Sequence, residues 1–185
     1  MPGSPLPDEP PLRPASPQPL QRVILAIGLP GCGKSTWFQK HGITPLSSDH
    51  LRLLLADDEN EQGFQKEIFG ALQHLLRLRL DFGRPVSYVD ATNLLREFRR
   101  QFIEIARERH CIVEALYFDV PPEICLQRNA ARNRRVPEDI LRAMAEKLEP
   151  PALEEGFQRV VVVGEQGQTL RELDAEPPSQ QQTRR

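Results

Sequence analysis

Two hydrophobic periods alternate along this chain. Arg22–Ile27 is an unbroken apolar run that stops at Gly28, and residues 87–90, Ile112–Phe118 and Arg159–Val163 repeat the pattern, with 44–47 a weaker copy. Continuous apolarity, rather than alternation, is what a strand covered on both faces shows. Between these runs the period lengthens. Phe64, Ile68, Leu72, Leu75 and Leu76 fall on one face of a helix, as do Leu95, Phe98, Phe102 and Ile105. Residues 35–40 are compatible with a short helix. Pro121 and Pro122 stand where another can begin, and Val136-Pro137-Glu138-Asp139 carries a further start signal. Strand–helix alternation predicts an α/β domain with a central, mostly parallel five-stranded sheet and helices on both faces.

The ends break the pattern. Residues 1–20 hold eight of the 18 prolines and no apolar period, so they predict a disordered arm. Residues 165–185, ending Glu-Pro-Pro-Ser-Gln-Gln-Gln-Thr-Arg-Arg, predict a disordered tail, which leaves 21–164 as one folded domain. A net charge of −2 gives no global attraction to nucleic acid, so any such contact needs a local basic patch. Only four of the 24 basic residues are lysines. Arginine suits forked contacts with phosphate, although arginine-rich codon usage gives the same bias. Cys32, Cys111 and Cys125 are odd in number and lack C-x-x-C spacing, which argues against a disulfide framework or a zinc site. With no apolar stretch of membrane-spanning length and no signal-peptide order at the start, the expectation is a soluble, cytoplasmic protein.

Chemistry enters at Gly28-Leu29-Pro30-Gly31-Cys32-Gly33-Lys34-Ser35-Thr36, which satisfies G-x-x-x-x-G-K-[ST] at every fixed position. Glycines let backbone N–H groups converge on an anion. Lys34 supplies a point charge for the β- and γ-phosphates, Ser35 a hydroxyl for Mg²⁺, and the following helix directs its dipole at the phosphates. A chance glycine-rich turn is the alternative. The apolar strand before the motif and the helical run after it favour the phosphate loop, with Gly28 and residues 30–36 contacting the nucleotide. No Asn-Lys-x-Asp segment is present, which argues against a GTP switch, and the chain is short for a motor.

Three further segments carry candidate chemistry, the first two at strand ends, where the ligand crevice of such a sheet lies. In Ser47-Ser48-Asp49-His50-Leu51-Arg52, Asp49 can accept a proton from an acceptor hydroxyl, and Arg52, three residues on, can hold an acceptor phosphate. A simple N-cap by Ser48 or Asp49 on a helix from His50 is the plainer reading. In Asp90-Ala91-Thr92-Asn93, Asp90 can reach a metal through water or position the acceptor, while Thr92 and Asn93 can cap a helix from Leu94. Arg96, Arg99 and Arg100 then lie on that helix's polar face, where charges are usually solvated. Finally, Arg128-Asn129-Ala130-Ala131-Arg132-Asn133-Arg134-Arg135 concentrates four arginines, with Arg128 and Arg132 one helical turn apart. This is either an exposed basic helix end or an arginine-rich lid that stabilises a transferring phosphoryl group, with Asn133 in a turn.

The ordered set — phosphate loop, Ser-Asp-x-x-Arg, Asp-Ala-Thr-Asn, then Asp119-Val120-Pro121 leading to Arg128-Asn129 and Val136-Pro137 — resembles the 5′-hydroxyl polynucleotide kinases. That family includes the phage end-healing kinase and bacterial RNA-repair kinase modules, within the wider group of small P-loop kinases. The resemblance covers roughly residues 22–163. It implies a P-loop NTPase fold with an arginine-rich helical lid and transfer of the γ-phosphate of ATP, with Mg²⁺, to a 5′-OH end of RNA or DNA. By motif, Lys34 and Ser35 handle phosphates and metal, Asp49 becomes the general base, and Arg52 contacts the acceptor's neighbouring phosphate. Asp90 belongs to the acceptor side, and Arg128 and Arg132 match lid arginines. A small-molecule or tRNA-linked acceptor, and a non-catalytic ATP-binding module, are the alternatives. Trp37 and Tyr88 are expected to be largely buried and so unavailable for stacking on bases.

Overall fold

The computed structural model describes residues 20–175, apart from 59, 60, 62, 133 and 134. The expected disordered arm over 1–19 lies outside the described residues. Six strands are joined in one sheet: β1 (Arg22–Ile27), β2 (Leu46–Ser47), β3 (Val86–Asp90), β4 (Ile112–Phe118), β5 (Arg159–Val163) and β6 (Thr169–Asp174), in the spatial order β2-β3-β1-β4-β5-β6. The first five are parallel, with Arg22 in register with both Val86 and Ile112. β6 runs antiparallel to β5.

The sheet thus has six strands where five were expected, and the sixth lies within the expected tail. Thr-Leu-Arg-Glu-Leu-Asp is exposed along its whole length. An edge strand with no buried face leaves no hydrophobic period to read, and its charges suit an unpaired edge. It is held instead by the backbone ladder to β5 and by Arg159, which pairs with Glu172.

Alternate residues of β1 point into two separate cores. Val23, Leu25 and Ile27 meet Leu51 of α2 (Ser48–Ala56), the Ile68-Leu72-Leu76-Leu80 stripe of α3 (Gln65–Asp81) and Phe102, Ile105 and Ala106 of α4 (Arg96–Glu108). Ile24 and Ala26 meet Phe38 of α1 (Lys34–Lys40), Cys125 of α5 (Pro122–Ala130) and Leu141 of α6 (Glu138–Lys147). This accounts for the continuous apolarity of β1, since both faces are covered. All parallel strands end on the same side of the sheet. The phosphate loop, Asp90 and the start of α2 are therefore brought to one edge, where the strand order reverses at β1.

Candidate active site

The loop between β1 and α1 is built on conformations open to glycine. Gly31 has φ +83°, and a Cβ there would come within 2.5 Å of the Cys125 carbonyl oxygen. Gly33, at φ +104°, is the left-handed N-cap of α1, and a Cβ on it would meet only Arg128 Nη1, at 4.0 Å. The loop is thus pressed against α5 on one side and open on the other, a cradle of backbone N–H groups at a helix start. Lys34 Nζ donates to the carbonyls of Gly28 (2.7 Å) and Leu29 (3.0 Å), folding back over the loop. Cys32 packs beneath as a buried filler, 3.5 Å from Lys34 Nζ. Burial pushes the neighbouring Cys125 thiol up to about 12, which leaves it inert as a nucleophile.

A cavity of about 1060 Å³ opens over this loop. Every site residue expected from Pro30 onward lines it: Pro30, Gly31, Cys32, Gly33, Lys34, Ser35, Thr36, Asp49, Arg52, Asp90, Arg128 and Arg132. Gly28 lies beneath, its N–H bonded to the Thr92 carbonyl at 3.1 Å. Charges that are scattered over a hundred residues of sequence thus converge on one space.

At its sheet-edge end, Arg52 Nη1 donates to Asp49 Oδ1 at 3.1 Å, and Nη2 donates to Gln65 Oε1. The Arg52 side chain is 6 % exposed and that of Asp49 49 %, so a buried cation holds a solvent-facing carboxylate. Ser47, not Ser48 or Asp49, caps α2: its Oγ accepts from the His50 N–H at 3.4 Å. That leaves the Asp49 carboxylate on the first turn, turned to the cavity. Beside it, burial pushes Asp90 up to about 6, with Asp49 adding to the shift and Lys34 and Arg132 opposing it. Two carboxylates and a lysine thus share one field.

Thr92 and Asn93 do not cap a helix. α4 begins at Arg96 behind Leu95, and Asn93, fully buried at φ +49°, donates from Nδ2 to the Ala26 carbonyl at 2.8 Å. The segment after β3 is thereby sewn to β1. Nor is Arg99 solvated with its neighbours on α4. It is fully buried, paired with Glu155 at 2.7 Å through both Nε and Nη2, while Nη1 donates to the carbonyls of Asn93, Leu94 and Glu149.

On the opposite side of the cavity, Arg128 lies over Gly33, and Arg128 Nη2 donates to the Glu165 carbonyl at 3.1 Å. Arg132 is exposed just past the end of α5. The turn expected at Asn133 lies outside the described residues. Past it, Asn129 accepts from the Val136 N–H and donates to its carbonyl, closing the loop into α6. Trp37 and Tyr88 are partly buried. Trp37 lines the cavity, its ring 3.9 Å from that of His41 and stacked on it. Sequence reasoning missed Gln65 and the 165–167 turn, both at the cavity wall. Neither carries a motif.

The open cradle and its lysine match a polyphosphate in charge and shape. Ser35 is exposed at the rim, and its hydroxyl is the hard oxygen donor that Mg²⁺ accepts. Among the described residues no three His, Cys, Asp or Glu side chains gather to cage a metal.

Comparison with known proteins places these features in context. The family AAA_33, described as an AAA domain, matches residues 23–151, more than half of the chain. The L-seryl-tRNA(Sec) kinase of Methanococcus maripaludis is 26 % identical over 136 residues, which cover 70 % of this chain and 53 % of that protein. The chain therefore spans about half the length of this curated relative. Among solved structures, the Pnkp1/Rnl/Hen1 RNA repair complex contains a chain similar in fold, with a TM-score of 0.59 and 18 % identity over 70 % of this chain and 44 % of that one. Chaetomium thermophilum Kti12 in complex with ADP-AlF3 superposes with a TM-score of 0.57 and 16 % identity, covering 77 % of this chain and 88 % of that one.

Proposed function

The chain belongs to the AAA_33 family, and from that premise we propose that it is an ATP-dependent P-loop kinase whose acceptor is a hydroxyl at the end of a nucleic acid, most simply a 5′-OH. One observation carries the reading: the Arg52–Asp49 pair, 3.1 Å apart, opens onto the same cavity as Lys34 and the phosphate cradle. An acceptor hydroxyl needs a carboxylate to take its proton as the new P–O bond forms. Asp49 fills that role, and Arg52 fixes its orientation while presenting positive charge to an adjacent phosphate of the acceptor. Asp90 orients the hydroxyl from the buried side.

On the donor side the loop amides and Lys34 bind the triphosphate, with Lys34 leaving its loop carbonyls for the phosphate oxygens. A Mg²⁺ ion held through Ser35 would neutralise charge on those oxygens. Arg128 and Arg132 then close on the charge that spreads over the transferring group. The donor in this scheme is ATP, and catalysis is positioning plus electrostatics.

The test is direct. Purified protein with Mg²⁺ and labelled ATP is expected to label a 5′-OH oligonucleotide. Asp49→Asn and Arg52→Lys are expected to lower kcat about 10²–10⁴-fold, the usual contribution of a positioned base. Full labelling by both variants would remove the assigned roles. A second reading, phosphorylation of a seryl hydroxyl carried on tRNA, is favoured by the 26 % identity to L-seryl-tRNA(Sec) kinase. Competition between seryl-tRNA and the oligonucleotide separates the two.

A further inference from the structure

The end of the cavity that holds Asp49 and Arg52 is not polar throughout. Gln65, which accepts from Arg52, and Phe69 stand one turn apart on α3, so they share a face, and both open onto the cavity. Phe69 is half-buried. It is backed by Phe98 and Phe102, with ring centroids at 5.9 and 6.3 Å. Ile140 and Met144 make a second one-turn pair, on α6, and line the same cavity. Just past α6 the chain is fastened to the segment after β3: the Glu149 N–H donates to the Leu94 carbonyl at 3.0 Å, and Arg99 donates to the Glu149 carbonyl at 3.0 Å. The cavity that holds this acid and cation thus also carries apolar side chains from two helices.

Such a lining is unsuited to a polyol, whose hydroxyls would lose water against Phe, Ile and Met without replacement hydrogen bonds. It suits a flat ring with a polar edge, which stacks on an aromatic face whatever its identity. We infer that Phe69, with Ile140 and Met144, is a stacking subsite for the terminal nucleobase of the acceptor, next to the hydroxyl that Asp49 deprotonates. The inference rests on the nucleic-acid reading above and adds a specificity element to it. Selectivity by stacking is tolerant of sequence and demands only that a base be present.

The experiment compares two 5′-OH oligonucleotides of one sequence, one of them with an abasic 5′ nucleoside, using the full chain with Mg²⁺ and ATP. The parent is expected to prefer the base-bearing end about tenfold in kcat/KM, the scale of one stacked base. Phe69→Ala is expected to abolish the preference by raising KM for that end alone, leaving KM for ATP and for the abasic end unchanged, and Phe69→Trp to retain it. Because Phe69 also packs in the core, Ile140→Ser is the second variant. Ile140 is 46 % exposed, so its replacement leaves the fold intact and is expected to weaken the preference several-fold. Equal use of both ends by the parent, or equal KM increases for both ends in the variants, overturns the stacking subsite while leaving the kinase reading intact. Failure to label either end overturns the nucleic-acid reading itself.

Discussion

Asp90 shows how one residue's surroundings set both stability and chemistry. Its pKa of about 6, against an ordinary 3.8, means that the folded chain holds this proton more tightly than the unfolded chain does. Stability from this group is therefore complete at the lower value, declines as pH rises from about 4 to 6, and stays lowered above that. Asp90→Asn removes the buried charge. At pH 8 and without nucleotide, urea unfolding is expected to show a gain on the order of 1–3 kcal/mol. That gain should vanish near pH 4 while phosphoryl transfer is lost. A variant no more stable than its parent at pH 8 would contradict this account. Arg99 carries the opposite lesson. Its neighbours Arg96 and Arg100 have the same side chain and are largely exposed, yet it alone is buried. Residue type marked a polar face; only the docking of residues 149–155 chose which arginine of that face is enclosed.

Elements meet at Arg99. It joins α4, the segment after β3, the end of α6 and the 3₁₀ turn Leu153–Glu155 in one hydrogen-bonded junction. Removing one partner of a buried pair leaves the other charge stranded, so Arg99→Ala is expected to cost about 3–5 kcal/mol in urea unfolding. The exposed Arg142–Glu138 pair within α6 is the control, and Arg142→Ala is expected to cost at most about 0.5 kcal/mol. Equal costs would show that the junction is not a stability centre. The helices and inner strands were legible because each buries a periodic apolar face, as in the Ile68-Leu72-Leu76 stripe. β6 was illegible for the converse reason: backbone pairing and an exposed ion pair recruit it, with no buried apolar face.

Across the whole molecule the site draws on elements that are distant in sequence. It is lined by the phosphate loop, α5, α6 and the 165–167 turn together with α2, α3 and the segment after β3. Nucleotide binding should therefore stabilise the entire fold. At a hundredfold excess over Kd, Mg·ATP is expected to add about 2.7 kcal/mol, or roughly 5–10 °C in Tm for a domain of this size. Lys34→Ala is expected to abolish the shift in differential scanning fluorimetry. An unchanged shift in that variant would deny the loop its role. The sequence by itself determined the phosphate loop, the parallel α/β core and the order of candidate site residues, because each is a local pattern of glycine, charge or hydrophobic period. Tertiary structure alone decided which arginines are enclosed, that Gln65 holds Arg52, that burial raises the pKa of Asp90, and that Phe69 and α6 line the same cavity. Those outcomes depend on what distant segments place around a side chain, and no local period encodes that.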